Sequence, residues 1–238
     1  MISFFRKIRE RLLSEGKMGR YVKYALGEIV LVVIGILIAL QVNDWNENRK
    51  SNDFELEMLT QIQQNLSNDK IALKQIHVNF KRAISSIDKI LDQQQTVYPD
   101  SLKYWLGDII QFERFASITN SYEALKSNGL DKISDNELRL LLSNYYDNHV
   151  KQVSRAIIDV EHSFLNDWKP LLQEISIVDF KFQEYVIVTD PTLFDTHSKA
   201  LNNLILNKDN YAGGVNRISA VIQSIENLEN RLSLFLNN

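Results

Sequence analysis

The chain has 238 residues, 45% hydrophobic and 24% charged, with 8 Gly, 3 Pro and no Cys. That balance excludes whole-chain disorder, collagen-like repeats and low-complexity classes, and without cysteine there are no disulfides, thiolate nucleophiles or Cys-ligated metal centres. The net charge of −3 is divided unevenly: residues 1–50 carry 9 Lys/Arg against 5 Asp/Glu, residues 51–238 carry 18 against 25, and the acidic remainder speaks against a nucleic-acid partner.

Met1, Phe5, Ile8 and Leu12 recur at helical spacing among Arg6, Lys7, Arg9 and Arg11. This predicts a basic amphipathic cytoplasmic segment over residues 1–23, able to lie on an anionic leaflet and broken at Gly16 and Gly19. An apolar run follows, uninterrupted from Ile29 to Leu40. From Tyr24 to Val42 it has 19 residues, of which only Glu28 and Gln41 are polar. A helix of that length rises about 28 Å, close to the thickness of a bilayer's hydrocarbon core. Tyr21, Tyr24 and Trp45 flank it as an aromatic belt would.

A transmembrane anchor is therefore expected over residues 24–44. A cleaved signal would need a small-x-small site, and Ala39-Leu40-Gln41-Val42-Asn43 offers none. Seven basic residues precede the span and no basic excess follows it. The positive-inside bias then puts the N-terminus in the cytoplasm of a single-pass protein of the inner (cytoplasmic) membrane, and residues 45–238 in the periplasm or outside the cell. Gly35 and Ala39 form a small-xxx-small pair compatible with close helix packing, and Glu28 sits where a carboxylate can snorkel to the inner interface.

Beyond the span the pattern is helical. Leu59, Ile62, Leu66, Asp69, Leu73, Ile76, Phe80, Ala83, Ile87 and Ile90 are spaced 3 and 4 apart, with Asp69 alone out of character. This predicts a long helix over about 53–94, in a coiled coil or a bundle, stopped by Pro99. A second helix is expected over 100–113 and a short one over Tyr122–Lys126, closed by Asn128-Gly129. Ser134-Asp-Asn-Glu137 reads as a capping box, with Ser134 as the cap, opening a helix to about Lys169 that ends or kinks at Pro170. Residues 176–189 have strand character. Asp190-Pro191 should start a helix to about 208, and Gly213-Gly214 should separate it from a last helix carrying Ile218, Ile222, Ile225, Leu228, Leu232 and Phe235. The expected fold is mainly α: an N-terminal transmembrane helix, then an antiparallel bundle of long helices over 45–238 with a short β or extended segment.

The chemistry-bearing motifs are few. The histidines are His77, His149, His162 and His197, and no HExxH, P-loop, GxGxxG or GxSxG motif occurs. Asp159-Val-Glu-His162 has the carboxylate-x-x-His spacing of di-iron bundles, but such a site needs a second motif, and the chain has none. No catalytic, cofactor-binding or metal-ligating residue is assigned, no cofactor is expected, and the protein reads as a non-enzyme.

The segments Phe4-Phe5-Arg6-Lys7-Ile8-Arg9, Tyr24-Ala25-Leu26-Gly27-Glu28-Ile29 and Ile34 to Asn46 resemble the signature of an uncharacterised family of single-pass bacterial membrane proteins, catalogued as a domain of unknown function. Ser121 to Gly129, followed by Leu138 to Tyr146, is similar to a second block of that family. The resemblance implies an envelope location and a helical exported region, and brings no activity or functional residues with it. The expected function is a membrane-anchored extracytoplasmic interaction module, in contact with membrane lipid and with a protein partner of the cell envelope or a second copy of itself. The alternatives are a ligand-sensing bundle with a separate signalling partner and a carboxylate-based envelope hydrolase.

Overall fold

The structure, a computed structural model, describes residues 18–92, 100–175, 177–190, 194 and 198–237, without the side chains of Arg20 and Tyr21. The basic segment before Met18, the stop at Pro99, the proline of the Asp190-Pro191 start and His197 lie outside the described residues. The helices are α1 Met18–Leu91, α2 Leu102–Ile109, α3 Asn120–Asn128, α4 Asn136–Asn144, α5 Val150–Ser163, α6 Lys169–Glu174 and α7 Lys199–Leu236, with strands β1 Ile177–Lys181 and β2 Tyr185–Val188 between α6 and α7. Two compact units divide the chain, Met1–Phe54 and Glu55–Asn238, and α1 contributes to both.

In the first unit the apolar side chains of α1 face outward on every side. Ile29 is 59% exposed, Leu31 66% and Leu40 54%. This stretch is long and apolar enough to cross a membrane, and none of it is buried. Past its end the Arg49 guanidinium lies 5.5 Å from the centre of the exposed Trp45 ring. A side chain at Gly27 or Gly35 would meet nothing within 4 Å. Glu28 is half-buried and has an interaction partner, as has Tyr24.

In the second unit every member of the heptad stripe is buried, from Leu59 to Ile90, and Asp69 is buried with the rest. Burying an aliphatic side chain of this size contributes about 1.5–3 kcal/mol, so the stripe is a main source of this unit's cohesion. Helix α7 lies along it. Gln63 donates to Ser233 at 3.3 Å, Lys70 pairs with Glu229, His77 meets Ser219 at 3.0 Å and Lys208 pairs with Asp88 at 2.5 Å. The pairs ascend along α1 as they descend along α7. The same order links α7 to the helical run 136–174, through His149–Ser224 at 2.9 Å, Arg217–Gln152 at 3.0 Å and Asn210–Ser163 at 2.8 Å.

Several elements differ from expectation. The cap of α4 is Asp135 and not Ser134: its carboxylate accepts the N–H groups of Glu137 at 2.9 Å and Leu138 at 3.0 Å. Ser134 instead donates its N–H and its hydroxyl to Glu55, each at 3.0 Å. Glu137 does not reach back to the cap but pairs with Arg231 at 3.2 Å. The run from α4 to α6 passes Lys169 and reaches Glu174, with π-turns at Tyr145–His149 and Phe164–Trp168. In the second of these the N–H of Lys169 reaches the Phe164 carbonyl, and the widened turn lets Pro170 follow without breaking the helix.

Gly213-Gly214 is no break either: α7 runs through both. Gly214 is small for packing, since a Cβ there would lie 2.7 Å from Cε2 of the buried Phe80 ring. Helix α2 is shorter than expected and gives way to an irregular segment, residues 110–119. Gly129 ends α3 with φ +99° and ψ 113°, a positive φ outside the left-handed helical well expected of such a cap. The strand character of 176–189 is realised as an antiparallel hairpin pairing Phe180 with Val186 and Lys181 with Tyr185. Its turn sits on α2 at Gly107, where a Cβ would be 2.4 Å from the Glu184 carbonyl oxygen. At the tip Gln183 has φ +64°, and its side-chain amide donates to Gln111 Oε1 at 3.2 Å and to the Phe112 carbonyl at 3.3 Å.

Candidate functional site

Asp69 breaks an apolar stripe, so its carboxyl enters the core of the second unit and needs donors there. It is 2% exposed. The hydroxyls of Ser117 and, at 2.7 Å, Tyr145 both donate to Asp69 Oδ2, and the backbone N–H of Ile118 also donates to the carboxyl. Burial pushes the carboxyl above its ordinary value of 3.8, and the three donors pull the other way without cancelling it.

The donors come from two elements. Ser117 and Ile118 belong to the irregular segment 110–119, a strap laid along α1. Its ends are tied down by Asp108, which accepts from Ser86 at 2.8 Å and pairs with Arg82 at 2.7 Å, and by Asn120 and Ser121, bonded to Asn65 at 3.3 Å and Gln61 at 2.9 Å. Between them Asn79 donates to Glu113 at 2.6 Å. Tyr145 opens the first π-turn, and such turns re-aim side chains where an α-helix would not.

Two more tyrosines complete the cluster. Tyr146 stacks on Tyr122 with ring centres 4.5 Å apart and meets Tyr145 edge-on at 4.8 Å. The Tyr122 hydroxyl donates to Asp147 at 2.8 Å, and Lys126 pairs with the same carboxylate at 2.9 Å. Hydrogen bonds from Lys126 and Tyr122 hold Asp147 below the usual carboxylate range. The Tyr145 hydroxyl is driven far above its ordinary value by burial and then by the charge of Asp69. Tyr146 is raised for the same two reasons, and its buried hydroxyl has no hydrogen-bond partner in the structure. The arrangement can hold or release one proton at Asp69, against phenols that stay protonated.

His77, His149 and His162 make no hydrogen bond to this cluster. His149, at the end of the same π-turn, bonds Ser224 through Nδ1 at 2.9 Å and meets the Asn144 amide nitrogen through Nε2 at 3.3 Å. The Asn144 amide oxygen accepts from Asn148 at 3.1 Å, which orients the amide so that its nitrogen faces the ring. One hydrogen bond joins His149 Nδ1 and the Ser224 hydroxyl, and the ring's tautomer decides which of them donates. In Asp159-Val-Glu-His162 it is Glu161 that is engaged, in an ion pair with Arg114 at 2.6 Å. Among the described residues no three or more His, Asp or Glu side chains gather as metal ligands. Two surface grooves, one beside Asp135, Glu137 and Arg231 and one beside Asn166, Pro170 and Lys199, are lined by neither Asp69 nor the three tyrosines.

Sequence periodicity marks Asp69 but not its partners. Ser117 sits in a segment with no periodicity, and Tyr145 and Tyr146 read as ordinary apolar positions of a helix.

The model of a family described as Family of unknown function (DUF6090) matches residues 28–189. The match takes in most of the apolar run, Asp69, the strap, both π-turns and the hairpin, and leaves out α7. No curated protein and no solved structure matches the chain. With a match over more than half of its length, the chain belongs to this family of unknown function.

Proposed function

We propose that the protein is a single-pass, membrane-anchored interaction module of the bacterial envelope. Its apolar helix spans the inner membrane with the N-terminus in the cytoplasm. Its second unit is an antiparallel helical bundle on the outer side, which binds another envelope protein or a second copy of itself and performs no catalysis.

The observation that carries this reading is a contrast along one helix. Between Ile29 and Leu40 the apolar side chains of α1 are exposed on all sides, whereas from Leu59 to Ile90 the heptad stripe is buried on one face and only Ile71 and Val78 among the large apolar side chains are exposed. A bare apolar cylinder in water has no stabilising partner, and lipid supplies one. Trp45 with Arg49 beside it has the chemistry of an interfacial anchor. The basic residues ahead of the span support the orientation, and the acidic excess beyond it suits a soluble exported part.

Alkaline carbonate extraction of membranes from expressing cells tests the anchor. The protein should stay in the pellet, and release into the supernatant would rule out a spanning helix. Cross-linking in intact cells, followed by capture of the full chain, should return a discrete envelope partner or a dimer; only monomer and background would remove the interaction reading.

A further inference from the structure

Asp69 joins three elements at one atom. The strap donates to it through Ser117 and Ile118, the π-turn donates through Tyr145, and α1 carries the carboxyl. Ser117 and Tyr145 converge on Oδ2, so both hydroxyls face the same oxygen. A hydroxyl can donate or accept. When a proton from solvent adds to the carboxylate, one of the two hydroxyls turns from donor to acceptor and the contacts persist without a buried charge. When the proton leaves, the same contacts must hold a full negative charge out of water.

We propose that Asp69 is a proton-operated latch, which fastens the strap and the π-turn to α1 when protonated and loosens them when ionised.

The surroundings suit such a device. The carboxyl is displaced by burial and by hydrogen bonds, with no charged side chain among the causes. Lys70, next to it on α1, is occupied by Glu229 of α7. On the strap side Glu113 accepts from Asn79, and beyond the π-turn Asp147 is held by Lys126 and Tyr122 of α3. Tyr145 and Tyr146 face Asp69 and stay protonated throughout. The sign follows from linkage. A carboxyl raised in the folded state binds its proton more tightly there than in the open state. Its contribution to closure is therefore fully present below the ordinary value of 3.8 and is lost as pH rises from there through the folded value.

The test is hydrogen exchange of the full chain in detergent micelles between about pH 4 and 8, reported as protection factors for the strap amides, Ile118 above all. In the native protein protection should fall as pH rises, by no more than tenfold per pH unit, the limit for one proton. Asp69→Asn keeps an acceptor for the hydroxyls and removes the titration, so its strap protection should not vary with pH. Tyr145→Phe removes a donor that favours the ionised form, so the fall should move to higher pH. A native profile that is flat, or a slope that survives in Asp69→Asn, would overturn the proposal. Should Asp69→Asn fail to fold, Tyr145→Phe decides: a midpoint that stays in place overturns the latch, and a shift upward supports it.

Discussion

Two neighbouring glycines in α7 have opposite physical roles. Gly213 faces open space, and a Cβ there would meet nothing within 4 Å. Gly213→Ala should therefore stabilise by about 0.5–1 kcal/mol, the ordinary helix-propensity gain. At Gly214 the added carbon would stand 2.7 Å from Cε2 and 2.8 Å from Cδ2 of Phe80. That ring is fully buried and packs edge-on against Tyr211 at 5.0 Å, so it has no room to withdraw. Gly214→Ala should destabilise by about 1–3 kcal/mol, as overpacked cores do. Thermal unfolding of the two variants checks this, and equal melting temperatures would show that the glycines serve neither purpose. The pair reads as a breaker in the sequence because the local rule for Gly-Gly carries no knowledge of Phe80, 134 positions earlier in the chain. The cap of α4 is misplaced by sequence for a similar reason. Ser134 satisfies the local capping-box spacing to Glu137, but a tertiary partner, Glu55, claims Ser134 and leaves the cap to Asp135.

The stripe of α1 is legible because its periodicity is long, whereas the single helix α7 reads as two in the sequence. All ten stripe positions from Leu59 to Ile90 are buried, and the hairpin falls within the alternating segment 176–189. The strap is not legible, since its hold on α1 comes from scattered side chains such as Asn79, Arg82 and Asp69 and not from a repeat. The π-turns escape notice because a single extra residue in a turn leaves almost no trace in hydrophobic spacing. The hairpin offers a test of element docking. Its turn backbone lies directly over Gly107, where a Cβ would stand 2.4 Å from the Glu184 oxygen and 2.6 Å from the Tyr185 nitrogen. Backbone atoms cannot swing aside as a flexible side chain can, so Gly107→Ala should lift the hairpin from α2. Amides of 185–188 should lose hydrogen-exchange protection while those of 59–90 keep theirs. Unchanged protection in the hairpin would contradict the docking described above.

At the scale of the whole molecule the decisive feature is how apolar residues are distributed. The first unit exposes them around a full helical circumference and the second buries them on faces. A helix long and apolar enough to cross a membrane is legible from the length and continuity of the run between Tyr24 and Val42, and the proposed orientation is drawn from the charges before it. The partner proposed for the second unit is not legible, because surfaces that recognise other proteins carry no fixed spacing, and the cluster at Asp69 emerges only once Ser117 and Tyr145 are brought to it. The proposed function requires the second unit to lie across the membrane from the N-terminus. The measurement that tests this most directly is a reporter active only outside the inner membrane, fused after Asn238 of the full chain. The fusion should be active. An inactive fusion, expressed at the same level, would place the acidic unit in the cytoplasm and contradict the orientation drawn from the basic residues ahead of the span.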